Sequence, residues 1–413
     1  MSRYLRIAVM LLVVVALLPI TAIDNPAAAQ DKVTLRITNW AGVEEAAEFQ
    51  EIVDAVNAES TTFEIVYEPN PADYYTQLQT EIAGGTAADL FWLDQNHMYW
   101  AFDDVLLDIS GYMAEDDRDV ASADDYFPGI WQTVQVGDGV YGLPWIAAPV
   151  VLYYNRDIFD EMGVDYPTAD WDWETFRQAA MDLTNDDHYG FIMTGWPPIH
   201  MFMWSFGGET VAPDLMSSPI DSAEAMAGAQ FYADMIYNEE CCPSEETIAE
   251  EGNAEMFKAG RVAMFMGGAA DDLDRVEGLN VGVSPVPQGV NGENITFAWT
   301  AATAINADTE YPDEAYEALV MLTEGVHRWK IVSPRVSQAN IEFLVEAEPR
   351  KADSAAAIIE AVPYMRGFYV LPNHGQWDTI FWEEFQDPLF HGEDNVENLA
   401  IIARVLLEEA MAQ

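Results

Sequence analysis

Between Val33 and Leu93 the chain alternates strand and helix patterns five times, and this constrains its fold more than any other feature. Val33, Leu35 and Ile37 point one way and Thr34, Arg36 and Thr38 the other, the period of a half-buried strand. Past Asn39-Trp40, the residues Val43, Ala46, Phe49, Ile52, Val53 and Val56 recur at helical spacing. A second strand covers Phe63 to Tyr67. Asn70-Pro71 then reads as N-cap and first residue of a helix through Tyr75, Leu78 and Ile82, stopped by Gly84-Gly85. A third strand, dominated by apolar residues, runs from Asp89 to Leu93. The expected product is an α/β sheet covered by helices on both faces.

Downstream, two short extended runs between Val134 and Leu143 flank Gly137-Asp138-Gly139, a hairpin signal. Val150 to Tyr154 is another apolar run, and a helix opens near Asp172. The pattern stays mostly helical to about Gly260. It returns to strand over Val262 to Met266, Val281 to Val283 and Ala301 to Ile305, and is largely helical over the last hundred residues. No repeat or low-complexity linker interrupts it, so two α/β lobes with several chain crossings fit better than two beads on a string.

Residues 1–30 carry a different message. Arg3 and Arg6 precede an apolar run from Ile7 to Ile20, and Ala27-Ala28-Ala29 supplies an A-x-A cleavage site. That is the pattern of a secretory signal peptide, the run being short for a spanning helix. The segment has no cysteine for lipid attachment, so an exported protein, periplasmic or extracellular, is expected. The two cysteines of the chain, Cys241 and Cys242, are adjacent. A vicinal disulfide, a reduced pair and an intermolecular bridge all stay open for them, the first strained by the short spacing of neighbouring Cα atoms.

Charge narrows the partners. The chain has 17 Lys+Arg against 71 Asp+Glu, a net charge of −54. Such a surface lacks the basic clusters that hold nucleic acid and repels anionic lipid. Catalytic signatures are also missing: no G-x-S-x-G, H-E-x-x-H or Walker loop occurs. None of the six histidines sits at metal-ligand spacing with another. The acidic runs Glu115–Asp119 and Asp271–Asp274 lack the spacing that wraps oxygens around calcium, and read as solvated surface. Neither metal nor cofactor is indicated, and no enzyme activity.

Aromatic residues say more. Thirteen tryptophans are a costly way to build a core, because each indole N–H needs an acceptor. Trp40, Trp145 and Trp299 stand just past strand ends, and Trp196 and Trp377 in loops, whereas Trp92, Trp171, Trp173 and Trp382 fall within element patterns and read as core. Flat rings with polar rims suit the apolar faces and hydroxyl edges of sugars.

Several stretches then carry a resemblance. They are Asp73 to Gln79 running into Gly84 to Trp92, Tyr141 to Trp145 with Leu152 to Phe159, Trp171 to Phe176, and Phe257 to Gly268. Taken in order, the chain resembles the extracellular solute-binding proteins of bacterial ABC importers, in the sugar-binding group that includes maltose-binding protein. The resemblance implies a two-lobed periplasmic-binding-protein fold of type II. Its lobes would comprise residues 31–146 with 300–345, and 147–299 with 346–413. Hinge crossings would lie near Ile146–Ala148, near Thr300–Ala302 and in the helical stretch after Arg335. It further implies a monomer that traps a small molecule, a carbohydrate by this group's habit, and delivers it to a membrane permease. Ligand contacts nominated by position are Asn39, Trp40, Glu44, Asp94 and Asn96 from the first lobe. The second lobe offers Trp196, Gly207, Gly208, Gly267, Gly268, Trp299, Arg335 and Trp377, and Trp145 joins them as a strand-end aromatic. Ala269-Ala270-Asp271 replaces the aromatic that often follows Gly267-Gly268, and Thr300 stands where glycine is common after Trp299. A receptor for a polyamine or other cation on the same fold, and a secreted carboxylate-dependent glycosidase, are the competing readings.

Overall fold

The computed structural model describes residues 32–193, 196–237, 241–329 and 332–412; the leader expected over residues 1–30 lies outside them. The opening alternation is present: β1 (Val33–Asn39), α1 (Val43–Glu59), β2 (Phe63–Pro69), α2 (Tyr74–Gly84) and β3 (Leu90–Asp94). Strands β2, β1 and β3 lie side by side in parallel, as crossover helices require. One expectation fails at α2, which starts at Tyr74 and not at Asn70-Pro71. Asp73 adopts a left-handed conformation there (φ 49°), and the Tyr74 hydroxyl reaches in to donate to the Trp92 carbonyl at 2.9 Å. The tertiary anchor overrides the local capping signal. Gly85 ends the helix with φ 64°, the left-handed stop that glycine adopts freely.

A short hairpin, β4 (Gln135–Val136) and β5 (Gly139–Val140), turns at Gly137-Asp138 and leads into β6 (Leu143–Asn155). All thirteen residues of β6 are buried, and for a strand that means cover on both faces. There follow α3 (Trp173–Asp182), capped by the Asp172 carboxylate, β7 (Tyr189–Phe191), α4 (Ile199–Ser205) and α5 (Ala223–Tyr237). Next come β8 (Val262–Gly268), β9 (Val281–Ser284), β10 (Thr296–Ile305) and α6 (Pro312–Val326). The chain ends with α7 (Ala355–Ala361), the two-residue strand β11 (Met365–Arg366), α8 (His374–Phe381) and α9 (Val396–Met411).

Apart from the β4–β5 hairpin, the described strands join in one mixed sheet in the order β2-β1-β3-β10-β6-β8-β7, with β11 beside β10 and β9 beside β6. Strands β6 and β10 pass through both halves. Leu143, Trp145 and Ile146 pack in a core with Leu35, Phe49, Trp92 and Leu319, whereas Val150, Leu152 and Tyr154 pack in another with Phe176, Phe202 and Phe381. Two lobes therefore share two antiparallel strands. At their junction the register shifts between Ala301 and Ala302, because Ala301 faces Ile146 while Ala302 faces Pro144. Trp145 is the extra residue of this bulge, and the bulge turns its side chain into the first lobe's core. A third cluster covers the opposite sheet face in the second lobe; Val332 and Leu344 belong to it, beside Ile358.

The acidic run Asp271–Asp274 departs from the solvated reading. Asp274 and Asp272 grip the Lys351 ammonium at 2.8 and 3.1 Å, and Lys351 is 4% exposed. Acid near a scarce lysine has become a buried ion pair.

Candidate ligand-binding site

The cleft is walled by what stands past the ends of β1 and β3 on one side and by three chain-distant segments on the other. After β1, the Asn39 carboxamide oxygen accepts the Ala41 amide at 3.1 Å and the Tyr67 hydroxyl at 2.6 Å, which fixes the turn carrying Trp40. The half-buried Trp40 ring meets Tyr74, Tyr75, Trp92, Trp145 and Trp299 with centroids 5.3–6.3 Å apart. After β3, Asp94 accepts the Asn96 amide at 3.0 Å and holds His97 Nδ1 at 2.8 Å, so that the imidazole stacks on Tyr75 (3.4 Å, 4°). The first lobe thus offers a continuous aromatic face edged by a carboxylate and an imidazole.

On the second lobe, Phe297 and Trp299 project from the same face of β10, two residues apart. Trp299 packs against both lobe cores, and Trp196 lies edge-on to Phe297 at 5.5 Å. The decisive polar feature was absent from the sequence expectations. Arg366, in β11, makes a two-pronged pair with Glu209: Nη1 to Oε1 at 3.0 Å and Nη2 to Oε2 at 2.7 Å. Its guanidinium lies 4.3 Å above the Trp204 ring at the end of α4. Phe368 contacts Trp204 and His200, and beside them His374 stacks on Tyr99 of the first lobe at 6.3 Å. A cavity of about 20 Å³, room for one water, opens among Trp204, Glu209, Phe368, His374 and Trp377. Burial drives His200 down to about 3 and lowers His374, so both imidazoles are neutral here.

Gln95 ties the two walls. Its amide nitrogen donates to the Ala298 carbonyl at 3.4 Å and its oxygen accepts the Phe368 amide at 2.9 Å. Gly367, next to it, donates to the Gly129 carbonyl and accepts from Gln132, each at 2.8 Å. A larger groove of about 750 Å³ lies between α1 and α6, lined by Glu48, Ile52, Arg118, Glu317 and Trp329, and shares no residue with this cleft.

The nominated residues divide. Trp40, Asp94, Trp196 and Trp299 belong to the walls just described, and Asn39 positions Trp40. Glu44 and Asn96 are exposed. Trp145 is buried 4.1 Å from Trp92, and Trp377 stacks on Phe381 at 5.1 Å while edging the small cavity. Gly208 packs so tightly on α5 that a Cβ would meet the Ala225 backbone at 2.3 Å, whereas the neighbouring Gly207 is exposed with φ +87°. The Gly268 amide and carbonyl are taken by Asp271 and Tyr153, and a Cβ on Gly267 would crowd Asp271 and Phe265. Arg335 is 5% exposed and clamps Asp125 at 2.7 Å. Cys241 and Cys242 are free thiols with their sulfurs 4.0 Å apart, about twice a disulfide bond length, so no vicinal disulfide is formed.

Residues 40–324 match the family model described as bacterial extracellular solute-binding protein. The chain belongs to that family. As a solute-binding protein of an ABC transporter it is a receptor and not an enzyme. A binding protein of Brucella abortus is 28% identical over 360 residues, 82% of each chain. An erythritol/L-threitol-binding protein of Mycolicibacterium smegmatis is 27% identical over 58% of this chain and 56% of its own. Among solved structures, an ABC substrate-binding protein of Listeria monocytogenes in complex with cycloalternan superposes with a TM-score of 0.77. It is 22% identical and covers 92% of this chain and 100% of its own, a likeness of fold. The solute-binding protein thus shares the two-lobed architecture implied by the sequence resemblance. Among the described residues no helix is long and apolar enough to cross a membrane.

Proposed function

We propose that this solute-binding protein captures a carbohydrate or polyol between its lobes and presents it to the membrane permease. The observation that carries the reading is the cluster of partly exposed aromatic rings where the lobes meet, Trp40 and Tyr75 from the first lobe beside Trp299 from the second, edged by polar groups already held in place. Sugars offer apolar C–H faces for such rings and hydroxyls for Asp94, His97 and Glu209. A cation cage would instead need opposed uncommitted carboxylates, but Asp94 is engaged with His97 and Glu209 with Arg366, which leaves Asp378 on one lobe only. Cyclic oligosaccharide and tetritol ligands in the names of similar proteins support the same class.

Closure follows from differential affinity: a ligand that touches both walls binds the closed form more tightly and shifts the population toward it. Two or three stacked rings at about 0.5–1.5 kcal/mol each beyond area burial, with several hydrogen bonds, reach micromolar affinity, about −8 kcal/mol. Titration of tryptophan fluorescence with mono- and disaccharides and polyols should give a saturable change. A flat response to all of them at millimolar concentration, with a response to putrescine or choline, would refute the carbohydrate reading.

A further inference from the structure

We propose that the Glu209–Arg366 pair sets the charge selectivity of the cleft: by occupying Arg366, Glu209 bars ligands with a carboxylate or phosphate and reserves the site for uncharged polyols and sugars. The proposal rests on the carbohydrate reading above and goes further, by naming which sugars.

Three observations converge. The guanidinium is the natural partner for an anionic ligand, since its planar fork matches carboxylate and phosphate. Here the bidentate edge of the fork is already taken, one N–H of each terminal nitrogen going to a Glu209 oxygen at 2.7 and 3.0 Å, and the guanidinium lies over Trp204. An incoming carboxylate would have to displace a tethered one and leave Glu209 without its cation, with side chains only 35% and 22% exposed. Around the pair, the cavity lining contains Asp378 and no Lys or Arg, and Asp94 faces it from the other lobe. His200 and His374 add no positive charge, being buried. The residual field is negative. Neutral hydroxyls meet no such barrier: a carboxylate has about four lone-pair sites, Arg366 uses two, and the others remain for O–H donors.

The test pairs each neutral probe with its acid: glucose with glucuronate, galactose with galacturonate, erythritol with erythronate, read by tryptophan fluorescence and thermal shift. Wild-type protein should bind the neutral member of a pair at least ~10-fold tighter than the acid. Glu209→Gln should free Arg366 and narrow or invert that ratio by a similar factor, and adding Arg366→Gln should abolish the gain. Equal wild-type binding of hexose and uronate overturns the proposal without any variant. So does an unchanged ratio in Glu209→Gln, or a gain that survives Arg366→Gln, while neutral-sugar binding would still stand. If wild-type protein binds no sugar or polyol of the panel, the carbohydrate reading falls and this proposal with it.

Discussion

The two walls of the cleft are built on different principles. The first lobe's wall is the exposed end of its own core: Trp40 touches Trp92 and Trp145, which continue into Phe49 and the sheet. The second lobe's wall is assembled from separate segments, near 204–209, 297–299 and 366–374, held together by an ion pair and a few directed hydrogen bonds. In the first, stability and ligand contact are inseparable. In the second, a single substitution can alter recognition while the lobe stays folded.

The sharpest way to break this contrast is to cut into each wall. Trp92 is fully buried, so Trp92→Ala should cost about 3–5 kcal/mol of stability, seen as a lower midpoint in denaturant unfolding. Arg366→Ala removes a partly exposed ion pair and should cost about 1 kcal/mol or less, while ligand affinity falls by a larger factor. Equal stability losses for the two variants would mean that both walls are core.

Acid should strike the lobes together, because each hides a neutral histidine. His200 in the second lobe and His327 in the first are both driven down from the ordinary 6.5 to about 3, desolvation being the main cause in each. A lowered histidine pKa means that below 6.5 the unfolded chain takes up protons that the folded chain refuses. Stability is therefore full above pH 6.5 and falls as pH drops toward 3, by about 1.4 kcal/mol per unit for each histidine. The lobes differ in what replacement does. Both ring nitrogens of His200 are buried with no partner among the described residues, whereas His327 Nε2 lies 2.9 Å from the Pro144 carbonyl. His200→Phe should remove one histidine's share of the acid slope at little cost at pH 7.5. His327→Phe should remove the same share but lose about 1–3 kcal/mol at pH 7.5, because the buried carbonyl is orphaned. Unfolding midpoints between pH 5 and 8 test both.

The same contrast explains what could be read from the sequence. The strands and helices of the first lobe alternate within short windows, so β1, α1, β2 and β3 follow from local periodicity and Trp40 from its place at a strand end, whereas Asp94 rests on the family resemblance. The second wall depends on β11, two residues whose position is set by pairing with Phe297 some seventy residues earlier. Nothing local distinguishes Arg366 from the chain's other arginines, so neither its pairing with Glu209 nor its seat on Trp204 was legible. Trp145 misled for a related reason: a strand-end aromatic reads as a ligand contact, but a bulge visible only in the β6–β10 register turns it inward. Of β6 only Val150–Tyr154 reads as a run, because Pro144 and Pro149 break the pattern ahead of it, although the strand begins at Leu143.

A smaller effect is expected where the walls meet. Gln95 is 4% exposed and bonds across to Ala298 and Phe368. Gln95→Ala leaves the Phe368 amide without its acceptor, at about 1–3 kcal/mol. Since these bonds link the lobes, the loss should appear chiefly as weaker ligand binding, and small-angle scattering should record a larger radius for the unliganded variant. An unchanged radius would mean that the Gly367 bonds to Gly129 and Gln132 hold the lobes together alone.

The smallest effect marks the edge of the first wall. Glu44 is exposed in the first turn of α1, where its charge faces the positive end of the helix dipole. Glu44→Gln should therefore cost only about 0.3–1 kcal/mol of stability and leave sugar affinity within about twofold, because an exposed group already solvated gains little by meeting a ligand. A tenfold loss of affinity in the same fluorescence titration would carry the ligand out over the helix terminus. The first wall would then include a polar contact independent of its core, and the contrast between the two lobes would narrow to the Trp40–Trp92–Trp145 block alone.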